Sequence, residues 1–250
     1  MQLNVTIFRK PFLLPSLRLL GCLSLYFALG LGMPIYSLAQ TPVYELDAIK
    51  AAKFNDVRGM TALLQQRLIS PNMRDAKGTP LLILALDDRS IEVLYLLMDS
   101  PEINIDATNR NGETTLMMAA IFGLMPEVKY LVENKAAIFN QSGWTPLHYA
   151  ASSGQTDIAT YLLEQGALVN ALSESNTTPL MMAVRSGNIE TVSVLLKNGA
   201  DMQIVNHQGF TAIDVADFFG QREISEGLSS RWQKLYKQKY THMVALPQRK

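Results

Sequence analysis

The side chains able to do chemistry are few, and their spacing fits no reaction. His148, His207 and His242 are the three histidines, and none has a second histidine at metal-ligand spacing. Asp87 and Asp88 form an adjacent carboxylate pair, but glycoside chemistry needs a second acidic partner across a cleft, and none is marked. Ser152-Ser153-Gly154 lacks the flanking glycines and the strand of a nucleophile elbow. No glycine-rich phosphate loop follows residue 39. Cys22 is the only cysteine and lies near the N-terminus, leaving the rest of the chain without a thiolate, a disulfide or a cysteine-based zinc site. No catalytic residue, cofactor or metal is expected, and the chain reads as a non-enzyme.

Composition narrows the alternatives. With 48% hydrophobic and 18% charged residues, the 250-residue chain is too apolar for a disordered protein and can bury a sizeable core. Its 22 basic and 22 acidic residues balance, but unevenly. Residues 1–39 carry Arg9, Lys10 and Arg18 and no acid; residues 231–250 carry six basic residues and no acid. The body between them holds 13 basic against 22 acidic residues, a formal charge of −9, which argues against nucleic acid as a partner.

The basic head is followed by an apolar run from Leu19 to about Tyr36, then Ser37-Leu38-Ala39. A positive segment, a greasy middle and a small-x-small exit make a secretory signal, cut before Gln40. The run also approaches the ~20 residues that span a bilayer, so an uncleaved anchor in the inner membrane is the alternative. A chain without disulfides that is nevertheless exported suits a bacterial periplasm.

Beyond residue 40 the chain repeats itself. Gly143-Trp144-Thr145-Pro146-Leu147-His148-Tyr149-Ala150-Ala151 recurs as Asn176-Thr177-Thr178-Pro179-Leu180-Met181-Met182-Ala183 and as Gly209-Phe210-Thr211-Ala212-Ile213-Asp214-Val215-Ala216. Upstream stand Gly112-Glu113-Thr114-Thr115-Leu116-Met117-Met118-Ala119-Ala120 and Gly78-Thr79-Pro80-Leu81. From Leu81 through Leu116, Leu147 and Leu180 to Ile213 the intervals are 35, 31, 33 and 33. A second block keeps step, with Leu96-Leu97, Leu131-Val132, Leu162-Leu163 and Leu195-Leu196. This pattern resembles the ankyrin repeat, a turn followed by two antiparallel helices, over about residues 44–230. The resemblance implies an all-α solenoid of five to six helix-turn-helix units. A divergent first copy is expected from Tyr44 to Arg74, with Ala48, Ala51 and Ala52 in its inner helix and Leu63, Leu64 and Leu68 in its outer one.

The residues fit such a unit on physical grounds. Thr145 can cap the first helix while Pro146 takes its first turn, where a missing N–H costs nothing. Leu147, Ala150 and Ala151 face inward, and Gly154 supplies a positive φ at the end. One unit cannot bury both faces, but stacked neighbours can. The recurring Met117-Met118 and Met181-Met182 then read as core, and His148 as a loop buttress rather than a ligand. Two residues are missing around Lys135–Phe139, which predicts a short hairpin finger there.

In this family the hairpin tips and the exposed side of the first helices form a concave recognition surface. The matching positions are Arg110, Asn111, Glu113, Ile121, Phe122, Gln141, Ser142, Trp144, Ser152, Ser153, Glu174, Ser175, Thr177, Arg185, Ser186, His207, Gln208 and Phe210. Trp144, Phe122 and Phe210 stand out, because water-facing aromatics mark contact surfaces. The organisation expected is a signal over 1–39, repeats over 40–230 and a basic amphipathic tail over 231–250. In that tail Trp232, Leu235, Tyr236, Lys239, Tyr240 and Met243 fall at helical spacing. The tail either packs on the last repeat, contacts an acidic lipid or protein surface, or stays unordered. The functional expectation is a monomeric module that grips an envelope protein or a co-exported enzyme on its concave face.

Overall fold

A computed structural model describes residues 41–242 apart from 136 and 138. The signal and anchor readings of residues 1–39, with Cys22, lie outside the described residues, as does the tail from Met243 onward. Residues from Val43 on belong to one unit.

Twelve helices and no strand occur among the described residues, arranged as six pairs. The first pair is α1 (Thr41–Phe54) and α2 (Val57–Gln65), and the second α3 (Leu81–Asp87) and α4 (Ile91–Met98). The third joins α5 (Thr115–Ile121) to α6 (Met125–Lys129), which runs on into a π-helical turn at Tyr130–Asn134. Then come α7 (Pro146–Ser152) with α8 (Thr156–Glu164), α9 (Pro179–Ser186) with α10 (Ile189–Lys197), and α11 (Ala212–Phe219) with α12 (Arg222–Tyr236).

Three of the inner helices start for the same chemical reason. The hydroxyls of Thr114, Thr178 and Thr211 accept the backbone N–H of the third helical residue, satisfying a donor that the helix itself leaves free. Gly154 and Gly187 then turn the chain out at φ +68° and +77°, a region open to glycine without strain. Inner helices α3, α5, α7, α9 and α11 pack in succession, and α2 with α4, α6 with α8 and α8 with α10 form the outer row. Leu81, Leu116, Leu147, Leu180 and Ile213, the residues that set the repeat, are all buried between neighbours. Ala119, Ala150 and Ala183 beside them are wholly covered, so small side chains permit the close approach.

The chain departs from the sequence reading in three places. Leu68 lies beyond the end of α2 at Gln65, not within the outer helix. The boundary drawn after residue 230 cuts through α12, which starts at Arg222 and runs to Tyr236. The reason is that one apolar stripe, Ile224, Leu228 and Trp232, is buried along its length, against the last inner helix α11. Phe210 is covered as well, at 7% exposure, because its ring meets Phe218 of α11 at 5.8 Å.

Candidate functional site: the hairpin tips and inner-helix surface

Four hairpin tips are closed by the same device. Asp75, Asn109, Ser173 and Asn206 each accept, on a side-chain oxygen, the N–H groups two and four residues further on. A second asparagine set ties three fingers to the ones that follow: Asn72 accepts from Asn104 N–H, Asn140 from Leu168 N–H and Asn170 from Asp201 N–H. Asn140 thus does the bridging work in the finger that lost two residues. Gln141 holds that short tip, its Nε2 donating to the Trp144 carbonyl at 3.1 Å.

Above this short finger an aromatic and acidic group assembles. The Trp144 ring meets His148 edge-on at 5.2 Å and Tyr149 at 6.4 Å. The Tyr149 hydroxyl donates to Glu113 Oε1 of the preceding repeat at 3.1 Å. Partial burial and the charges of Glu113 and Glu174 push the Tyr149 phenol upward, so it stays a neutral donor. Desolvation, with the charges of Asp88 and Glu113, raises the Asp87 carboxyl. Carboxylates from the second, third and fifth repeats therefore bear on one stretch of surface.

His148 lies beneath it, fully buried. Its Nδ1 accepts from the Thr145 N–H at 3.2 Å, and its Nε2 donates to the Thr177 carbonyl at 3.0 Å. Burial holds the ring at a pKa of about 4, against the opposing pull of Thr177 and Glu174. A neutral ring with both nitrogens engaged buttresses two loops and has no nitrogen left for a ligand.

Arg110, Asn111, Phe122, Ser142, Glu174, Arg185 and His207 are exposed. Glu113, Gln141, Trp144, Ser152, Ser153 and Thr177 are half-buried, and Phe210 is not on the surface at all. Some exposed members are already engaged. Arg110 reaches back to the Ala76 carbonyl of the previous tip at 3.0 Å, and Arg185 lies over the Phe219 ring at 5.2 Å. Ser152 and Ser153 turn their hydroxyls onto the Tyr149 carbonyl. Phe122 sits under the Arg89 guanidinium at 4.9 Å.

Sequence reasoning missed Tyr149, Arg89 and Phe219. Tyr149 stands where other copies have Met118 and Met182, and a phenol among methionines is the signal that could have marked it. Among the described residues no group of three or more His, Cys, Asp or Glu could hold a metal ion, and no helix is long and apolar enough to cross a membrane.

A family model of ankyrin repeats, three copies in length, matches residues 82–173 and again 168–237. The palmitoyltransferase AKR1 of Lachancea kluyveri is 32% identical over 123 residues, covering 47% of this chain and 16% of that protein. The mouse ankyrin repeat and SAM domain-containing protein 6 is 33% identical over 102 residues, 40% of this chain and 12% of its own length. The mouse protein phosphatase 1 regulatory subunit 27 is 40% identical over 68 residues, 26% of this chain and 44% of that protein. The chain thus spans less than half the length of these relatives. All three come from eukaryotes, so they lend nothing to the bacterial origin expected from residues 1–39.

Proposed function

The chain belongs to the ankyrin-repeat family, and on that premise we propose that it is a non-enzymatic binding module whose hairpin tips and inner-helix surface hold a partner protein. One observation carries the reading. The residue just before the helix-capping threonine is Glu113, Trp144, Thr177 or Phe210 in successive repeats, while the leucine or isoleucine two positions after that threonine scarcely changes. The fold requires the second position and tolerates different residues at the first, where Glu113, Trp144 and Thr177 reach the surface and Phe210 does not. A stacked array presents such a surface pre-formed, which lowers the ordering cost of binding. The enzymatic activities in some relatives' names belong to proteins of which this chain matches a small fraction, 16% for the palmitoyltransferase.

The compartment is part of the proposal. Arg9, Lys10 and Arg18, the apolar run and Ser37-Leu38-Ala39 support export to an envelope compartment, with an envelope protein or a co-exported enzyme as partner.

Site-specific photo-crosslinking in the source cell tests the binding face. Crosslinkers placed at Ser142 or Arg185 should capture one common protein, and crosslinkers at Glu164 or Lys197 on the outer helices should not. Capture from the outer helices alone would refute the assignment.

A further inference from the structure

The two ends of the repeat stack are finished differently. At the C-terminal end α12 lays Ile224, Leu228 and Trp232 on the last repeat, and Tyr240 closes over the buried Asp214. At the other end α1 turns its large apolar side chains outward: Phe54 is 79% exposed, Val43 56% and Leu46 52%. These three recur with Lys50 at intervals of three and four, so they share one helical face opposite the buried Ala48 and Ala52. Beside that ridge an open groove of about 430 Å³ runs between α1 and α2, lined by Ala51, Ala62 and Leu63 among others. Inner repeats bury this kind of face under the preceding helix pair, and terminal repeats normally carry polar residues there instead.

We propose that two copies of this chain stack head to head through this face, with α1 of one antiparallel to α1 of the other. Three features select a second copy as the occupant. First, among the described residues the C-terminal end is capped by α12 and by Tyr240 over Asp214, with Leu235 the one large apolar side chain exposed on α12, so a head-to-tail contact, which would propagate into a fibre, meets no ridge like that of α1. Second, the face is self-complementary in charge. Asp47 and Lys50 lie one turn apart on it, 3.9 Å from each other. A two-fold axis between them sets Asp47 against Lys50 of the second copy and Lys50 against Asp47, whereas parallel pairing would oppose like charges. Third, the same axis brings Val43 against Phe54 of the second copy at both edges, apolar on apolar. This departs from the monomer expected from sequence. The few apolar side chains place the dimer at the weak, concentration-dependent end of specific interfaces.

Sedimentation of the full chain over a concentration series tests this, alongside Phe54→Glu, Asp47→Lys and the double swap Asp47→Lys/Lys50→Asp. A monomer–dimer equilibrium is expected. Phe54→Glu should raise its dissociation constant roughly thirtyfold or more without moving the melting temperature measured at concentrations where the wild type is monomeric. Asp47→Lys should weaken the dimer and the double swap should restore it. A wild-type chain monomeric at every concentration, a dimer indifferent to Phe54→Glu, or a monomer whose Phe54 face inserts into phospholipid vesicles instead would each overturn the proposal.

Discussion

Asp214 occupies in the last repeat the place that His148 occupies in the fourth. Each is the third residue of its inner helix and accepts the N–H of the capping threonine, at 2.8 Å from Thr211 and 3.2 Å from Thr145. His148 then reaches forward to the Thr177 carbonyl of the following finger. Asp214 has no following finger. Instead the chain folds back past α12, and the Tyr240 hydroxyl and the His242 ring meet its carboxylate. The returning strand of chain replaces the missing repeat with side-chain donors.

The two residues should give the fold two separate pH responses. The folded His148 ring takes up its proton near pH 4, whereas the unfolded ring does so near 6.5. The unfolded chain therefore binds the proton preferentially between those values. Stability from this site is complete above pH 6.5 and falls by roughly 3 kcal/mol as the pH drops toward 4. His148→Met, the residue found at the matching positions Met117 and Met181, should remove that slope in urea titrations run at each pH. Burial would raise the Asp214 carboxyl, but donors from Tyr240, His242 and Thr211 outweigh it and hold it below its ordinary 3.8. Its contribution is thus lost only as the pH falls through that lower value, and Asp214→Asn should blunt the loss there.

Truncation distinguishes the helix from the strap. Ending the chain after Tyr236 removes Tyr240 and His242 and leaves Asp214 to water, a modest loss. Ending it after Ser230 also strips Trp232, which is buried and meets the Tyr236 ring at 4.4 Å in a tilted contact, and should cost on the order of 3–5 kcal/mol. Thermal melts of the two truncations should therefore differ clearly. Equal melting temperatures would mean that the C-terminal half of α12 contributes nothing.

Leu147 and Leu180 are buried between successive repeats, so Leu147→Ala and Leu180→Ala should each cost roughly 2–5 kcal/mol. Unfolding in urea should stay cooperative, because adjacent repeats are coupled through the same core. No shift in midpoint for either variant would contradict the packing.

The export proposal predicts a protein that has lost residues 1–39 and begins at Gln40. Intact mass of the cellular protein decides it, and a full-length mass in the membrane pellet would favour the anchor.

The repeat was legible in the sequence because its determinants are local: a capping threonine, a first-turn proline and a leucine at a fixed interval. The short finger was legible for the same reason, from a count of residues. What the sequence hid is non-local. Phe210 reads as an exposed tip residue until Phe218 is seen to cover it, and Tyr149 gains a role only when Glu113 arrives from the neighbouring repeat. The strap was hidden because Asp214, Tyr240 and His242 meet across 26 and 28 residues with no pattern linking them.

The central claim is that the hairpin-tip surface does the binding, and Trp144 is its most exacting test. The indole is half-buried and leans on His148 and Tyr149, so Trp144→Ala should cost about 1 kcal/mol of stability. The decisive measurement is the calorimetric affinity of Trp144→Ala for the protein captured by crosslinking, taken under conditions where the variant is fully folded. An affinity lowered roughly thirtyfold or more is the expected result. Wild-type affinity from the folded variant would show that Trp144 only packs the fourth repeat, and would contradict the placement of the binding surface.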